Sequence, residues 1–86
     1  MGDISNNIKE SKFLVYPNPT KGQLNITVDA DLIDTKCAIF GSNGKLVHDV
    51  NIKEKTTIVE LMSLENGIYL INTNGDLKQT FRVIKD

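Results

Sequence analysis

The 86 residues predict an all-β domain, a sandwich of seven short antiparallel strands. Three observations carry that reading. Apolar and polar residues alternate with period two in short segments, as in Leu24, Ile26 and Val28 set against Asn25, Thr27 and Asp29. Glycine, asparagine and proline clusters separate those segments at a spacing of roughly 8 to 12 residues. No stretch keeps a helical period long enough to compete, although Ala30-Asp31-Leu32-Ile33-Asp34 has room for one turn.

Taken in order, residues 1–12 are polar, lack a sustained period and read as a flexible linker ahead of a folded unit spanning residues 13–86. The first strand is Phe13 to Tyr16. It runs into Tyr16-Pro17-Asn18-Pro19-Thr20-Lys21-Gly22, where each proline fixes its own φ and pushes its predecessor toward extended geometry, so a stiff corner is expected. The alternating strand from Leu24 to Val28 follows. Thr35 to Phe40 and Lys45 to Ile52 flank Gly41-Ser42-Asn43-Gly44, and the Asn-Gly pair predicts an antiparallel hairpin whose turn uses positive φ values.

Thr56 to Leu61 places Val59 and Leu61 on one face and Glu60 on the other. Leu64 is expected to plug the end of the core, with Asn66-Gly67 turning the chain after it. The next strand, Ile68 to Thr73, opens with four apolar residues of both parities. That pattern suits a central strand covered on both faces, or one at a packed interface. Asn74-Gly75 then predicts a second hairpin, completed by Lys78 to Lys85, where Phe81 and Val83 alternate with Thr80 and Arg82.

Composition excludes several classes of function. At this length there is one domain and no cleft between lobes. A formal net charge of −1 leaves no electrostatic footprint for nucleic acid, so none is expected as a partner. The apolar runs fall far short of the ~18 residues of a transmembrane helix. No charged segment followed by an apolar one opens the chain, so a secretory leader is not expected within it.

Catalytic residues are not expected either. The single cysteine, Cys37, sits in an apolar strand pattern and reads as a buried, inert thiol, and the single histidine, His48, reads as a surface or rim residue. A hairpin brings the two onto adjacent strands, yet no third group is placed to orient them. Asp29, Asp31 and Asp34 lack the glycine and terminal glutamate of a calcium loop, so they read as a solvated turn, with no metal and no cofactor. The glycines lie between strands and none opens a helix, which argues against a phosphate cradle. Five aromatic residues and no tryptophan make a poor stacking platform, which weighs against the alternative of a passive carbohydrate-binding or spacer module of an extracellular enzyme.

Four segments carry a resemblance: Val15-Tyr16-Pro17-Asn18-Pro19-Thr20-Lys21-Gly22, Gly44-Lys45-Leu46-Val47, Leu64-Glu65-Asn66-Gly67-Ile68-Tyr69-Leu70, and Phe81-Arg82-Val83-Ile84-Lys85. In this order they closely resemble the C-terminal sorting domain of the type IX secretion system of Bacteroidetes, over residues 13–86. The resemblance implies a seven-stranded immunoglobulin-like β-sandwich that serves as an address and not as an enzyme. It implies an N-terminally attached cargo that passes through the periplasm to the cell surface or medium. The implied partners are the type IX translocon, its outer-membrane shuttle components and a sortase-like peptidase that removes the domain and can couple the cargo to the surface. The matching motif positions are Tyr16, Pro17, Asn18, Pro19 and Gly22, then Gly44 and Lys45, then Gly67 and Tyr69, with Phe81, Val83, Ile84 and Lys85 forming the terminal strand. Asp86 follows the lysine on which many members end. The translocon is expected to read the hairpin from Ile68 to Lys85 through an exposed strand edge and through its basic end.

Overall fold

The computed structural model describes residues 12–74 and 79–86, so the N-terminal lead-in, the turn at Gly75 and the predicted strand start at Lys78 lie outside the described residues. Among the described residues there are seven strands: β1 Phe13–Tyr16, β2 Gln23–Val28, β3 Lys36–Gly41, β4 Leu46–Asn51, β5 Thr56–Glu60, β6 Gly67–Thr73 and β7 Thr80–Lys85. A 3-10 turn, Ala30–Leu32, occupies the place where one helical turn was expected. The strands form two antiparallel sheets, ordered β1-β2-β5 and β4-β3-β6-β7. Both predicted hairpins are found, β3 with β4 and β6 with β7.

Alternation builds the core. Leu24, Ile26 and Val28 from β2 meet Cys37 and Ile39 from β3, Tyr69 and Ile71 from β6 and Val83 from β7, in one buried cluster between the sheets. Ile52 and Leu61, just beyond β4 and β5, are fully buried with them, and Leu64 packs against the cluster from the β5–β6 connection as expected. Each fully buried aliphatic side chain contributes about 1.5–3 kcal/mol relative to exposure, so these few positions dominate the stability of the domain. A stacked pair, Phe13 on Phe81 with ring centroids 5.0 Å apart, joins the two sheets near one end.

Two expectations are corrected. β6 was expected either to be covered on both faces or to lie at a packed interface; within the domain only its inner residues Tyr69, Ile71 and Thr73 are buried, while Ile68 is 42% exposed and Leu70 half-buried, so the first alternative does not hold. The strand is central within its sheet, yet a two-layer domain has nothing to lay over the outer face. The β3–β4 turn, in turn, uses positive φ only at Gly44, at 83°. Asn43 contributes through its side chain instead, whose Oδ1 accepts the Lys45 N–H at 3.0 Å, while Gly44 N donates to Gly41 O at 2.9 Å. Val47 is then extra, because Ile39 faces His48 and Phe40 faces Leu46, a bulge that twists the start of β4.

Cys37 is 2% exposed, and burial pushes its thiol up from 9.0 to about 11. The protonated form is therefore the one the fold favours. Stability from this group is complete below about pH 9, where the unfolded thiol also keeps its proton, and is lost as pH rises toward 11. Urea unfolding of wild type and Cys37→Ala is expected to show the wild type losing on the order of 1–3 kcal/mol more than the variant between pH 8 and pH 11. Native Cys37 is expected to resist iodoacetamide at pH 8 and to react in denaturant.

Candidate functional site

The corner between β1 and β2 is held in place by the last strand of the chain. Both its X-Pro bonds, Tyr16-Pro17 and Asn18-Pro19, are cis. The side chain of Asn18 lies against β7, donating from Nδ2 to Arg82 O at 2.8 Å and accepting at Oδ1 from Ile84 N at 2.9 Å. Thr20 continues the contact through its backbone. Its N–H donates to Ile84 O at 2.8 Å, and its carbonyl accepts from Asp86 N at 3.0 Å, in a parallel bridge opposite Lys85. One side-chain amide and one residue of backbone thus pair four successive outward groups of β7, the work an additional strand would do.

Thr20 and Gly22 set the geometry of this contact. The Thr20 hydroxyl, 1% exposed with its residue, donates to Gln23 O at 2.6 Å and accepts from Gly22 N at 3.0 Å, a local turn that aims the backbone at β7. Gly22 has φ 150°, and a Cβ placed there would lie 3.2 Å from Met62 Cα. Its carbonyl also accepts the Leu61 N–H at 2.6 Å, which fixes the end of β5 to the start of β2. Only glycine satisfies both the dihedral and the close approach.

The remaining motif residues gather beside this corner. Gly67 is opposite Lys85 and Tyr69 opposite Val83 in the β6–β7 pairing, and Gly41 is opposite Tyr69 across β3 and β6. The Tyr69 hydroxyl donates to Glu65 O, closing the β5–β6 loop onto its own strand. The turn carrying Gly44 and Lys45 stands next to that loop, across an open cleft of about 340 Å³ lined by Lys45, Leu64, Asn66 and Ile68 among others. All four motif segments therefore meet at one pole of the sandwich.

The terminal strand is less available than its sequence suggests. Phe81, Val83 and Lys85 face inward, and among the four nominated residues of this strand Ile84 alone points out, 36% exposed. Lys85 is 7% exposed, with its stem in the domain and its Nζ donating to Asn66 Oδ1 at 2.9 Å. The basic end is thus turned inward, and the outer edge from Arg82 to Asp86 is already paired, contrary to the expectation of an open edge. Phe81 stands away from the pole, against Phe13.

Other candidate groups do not converge on a reactive constellation. Cys37 faces Val50 and His48 faces Ile39, so thiol and imidazole are offset by one inward pair. His48 Nε2 lies 3.2 Å from Glu60 O, spanning from the edge of one sheet to the edge of the other. Asp29 accepts the Lys12 N–H at 2.8 Å, and Asp34 pairs with Lys53 at 3.5 Å. Sequence reasoning nominated neither Thr20 nor Asn66 as a site residue, although it placed Asn66 in the turn before β6. For Thr20 a signal existed, since a hydroxyl two residues before a glycine is a common turn device.

The pinned corner, the Gly44 turn and the β5–β6 loop thus form one shaped pole on an all-β body. The chain matches the family model described as the secretion system C-terminal sorting domain over residues 14–85, and it belongs to that family: it is a sorting signal of type IX secretion. It is also similar to beta-agarase A of Zobellia galactanivorans, with 32% identity over 68 residues, covering 79% of this chain and 12% of the agarase. The chain thus spans a small part of that relative's length.

Replacing Asn18 by alanine removes both side-chain bonds to β7 and leaves Arg82 O and Ile84 N without those partners. The expected cost is about 1–3 kcal/mol in urea unfolding, together with faster hydrogen exchange at the Ile84 amide than at Tyr69. Gly22→Ala is expected to cost roughly 1–3 kcal/mol from its dihedral, with Met62 displaced as well.

Proposed function

We propose that residues 13–86 act as one exported label, read at the pole where the four motif segments meet, and that an N-terminally attached cargo supplies whatever activity the full protein has. The observation that carries this reading is the convergence itself. Three of the segments are fixed side by side by the Asn18, Thr20 and Lys85 bonds, and the pairing of Gly41 with Tyr69 brings the Gly44 turn next to them, giving a shape that owes nothing to a passenger. In this reading the cargo crosses the periplasm, the label is recognised by the outer-membrane translocon and its shuttle components, and the cargo reaches the cell surface or medium.

We assign the fold to the immunoglobulin-like class. β2 pairs with β5 in one sheet and β3 with β6 in the other, as in such domains, while β4 joins β3 instead of β5. We further propose that a sortase-like peptidase cuts within or just before residues 3–12, which in sequence lie ahead of the first strand.

An inert reporter carrying residues 1–86 at its C-terminus, expressed with an N-terminal export leader in a bacterium possessing this secretion system, is expected at the cell surface or in the medium. Retention in the periplasm would count against the reading. Mass spectrometry of the mature reporter is expected to place the cut at or before residue 12, and a cut inside a strand would exclude the assigned segment.

A further inference from the structure

We infer that the outer face of the four-stranded sheet is the surface on which the export receptor docks, and that this receptor presents an apolar protein surface with a carboxylate opposite Arg82. The inference rests on the sorting reading. Across that face Leu46 lies opposite Phe40, Phe40 opposite Leu70 and Leu70 opposite Arg82, while Ile68 lies opposite Ile84 one outward step along β6 and β7. Directly opposed side chains in a sheet are in contact range, so five apolar groups form one continuous row and step. Leu46 is 48% exposed, Ile68 42% and Ile84 36%, with Phe40 and Leu70 half-buried.

The outer face of the other sheet differs. Its exposed Leu14, Tyr16 and Ile58 are separated by Asn25 and Thr27, and the Tyr16 hydroxyl is bonded to Thr27 at 2.8 Å. The four-stranded face is also the one that the pole supports. Leu46 directly follows Gly44 and Lys45, Ile68 stands between Gly67 and Tyr69, and Ile84 precedes Lys85 with its N–H held by Asn18. Edge pairing is closed to a partner along β7 from Arg82 onward, whereas this face is open.

Charge and size point to the occupant. The charge set into the apolar row is Arg82, exposed beside Leu70, and an arginine flanked by aliphatic side chains suits a partner bearing an acidic group in an apolar surround. The row offers on the order of 300 Å² of apolar surface, against roughly 450 Å² of apolar area per partner in a standard stable complex of about 800 Å² a side. That is too little for a lasting dimer of this chain and suits a receptor that must bind and release.

The test uses the reporter carrying residues 1–86, with Leu46→Glu, Ile84→Glu and Arg82→Glu made singly and Ile58→Glu as the opposite-face control. Circular dichroism and thermal melting of each 86-residue chain confirm which variants fold. Folded Leu46→Glu, Ile84→Glu and Arg82→Glu are expected to export at least tenfold less than wild type, with Ile58→Glu unchanged. Folded face variants exported like wild type would overturn the inference while leaving the sorting reading intact. A wild-type fusion that is itself retained would overturn the sorting reading and the inference with it. Sedimentation of the wild-type chain is expected to show a monomer, and a dimer dissociated by Ile84→Glu would give the face to a second copy and overturn the receptor assignment.

Discussion

The arrangement depends on satisfying the outer edge of β7. A terminal strand at the rim of a sheet leaves a row of backbone donors and acceptors unpaired, which is both costly if they are shielded from water and an invitation to pair with other chains. Asn18 and Thr20 meet those groups from a position more than sixty residues earlier in the chain, at separations of 64 and 66 for the two Asn18 bonds. The first corner thereby becomes part of the last strand. The bonds also tie the segment leaving the three-stranded sheet to the four-stranded one, so the sandwich is closed by hydrogen bonds at this pole as well as by apolar packing between its layers.

Buried polar groups near that pole follow the same logic. Thr20 and Lys85 occupy positions where an apolar side chain would be ordinary, yet each has partners: Gln23 O and Gly22 N for the hydroxyl, Asn66 for the ammonium. Such groups stabilise only while fully satisfied, and they fix geometry more narrowly than an aliphatic side chain would. A label read on unrelated passengers needs that kind of fixed outline. The exposed ion pair between Lys21 and Asp86, at 3.4 Å, adds little by comparison because water screens it.

Much of the architecture was legible. Period-two alternation identified Leu24, Ile26 and Val28 as a buried row, and the glycine turns located both hairpins, because these signals arise from neighbours in sequence. The inert character of Cys37 followed from its apolar strand and is matched by its raised thiol. The pole was harder to read. Its residues were nominated by resemblance, and although the flanking prolines marked a stiff corner at Asn18, nothing local showed that its side chain bridges to β7 while that of Asn43 bonds its own turn.

The sequence by itself determined seven strands, the buried rows of those that alternate clearly, the two hairpins and the places where the chain reverses, since each of these depends on local sterics and on a two-residue period. Only the tertiary structure decided how the strands beyond the two hairpins are arranged in the sheets, that the domain covers one face of β6, that Lys85 turns inward, and that the edge of the last strand is occupied from Arg82 onward. Alternation states which side chains share a face but not whether another layer covers that face. Hydrogen bonds between the two ends of the chain likewise leave no trace in the local pattern of either.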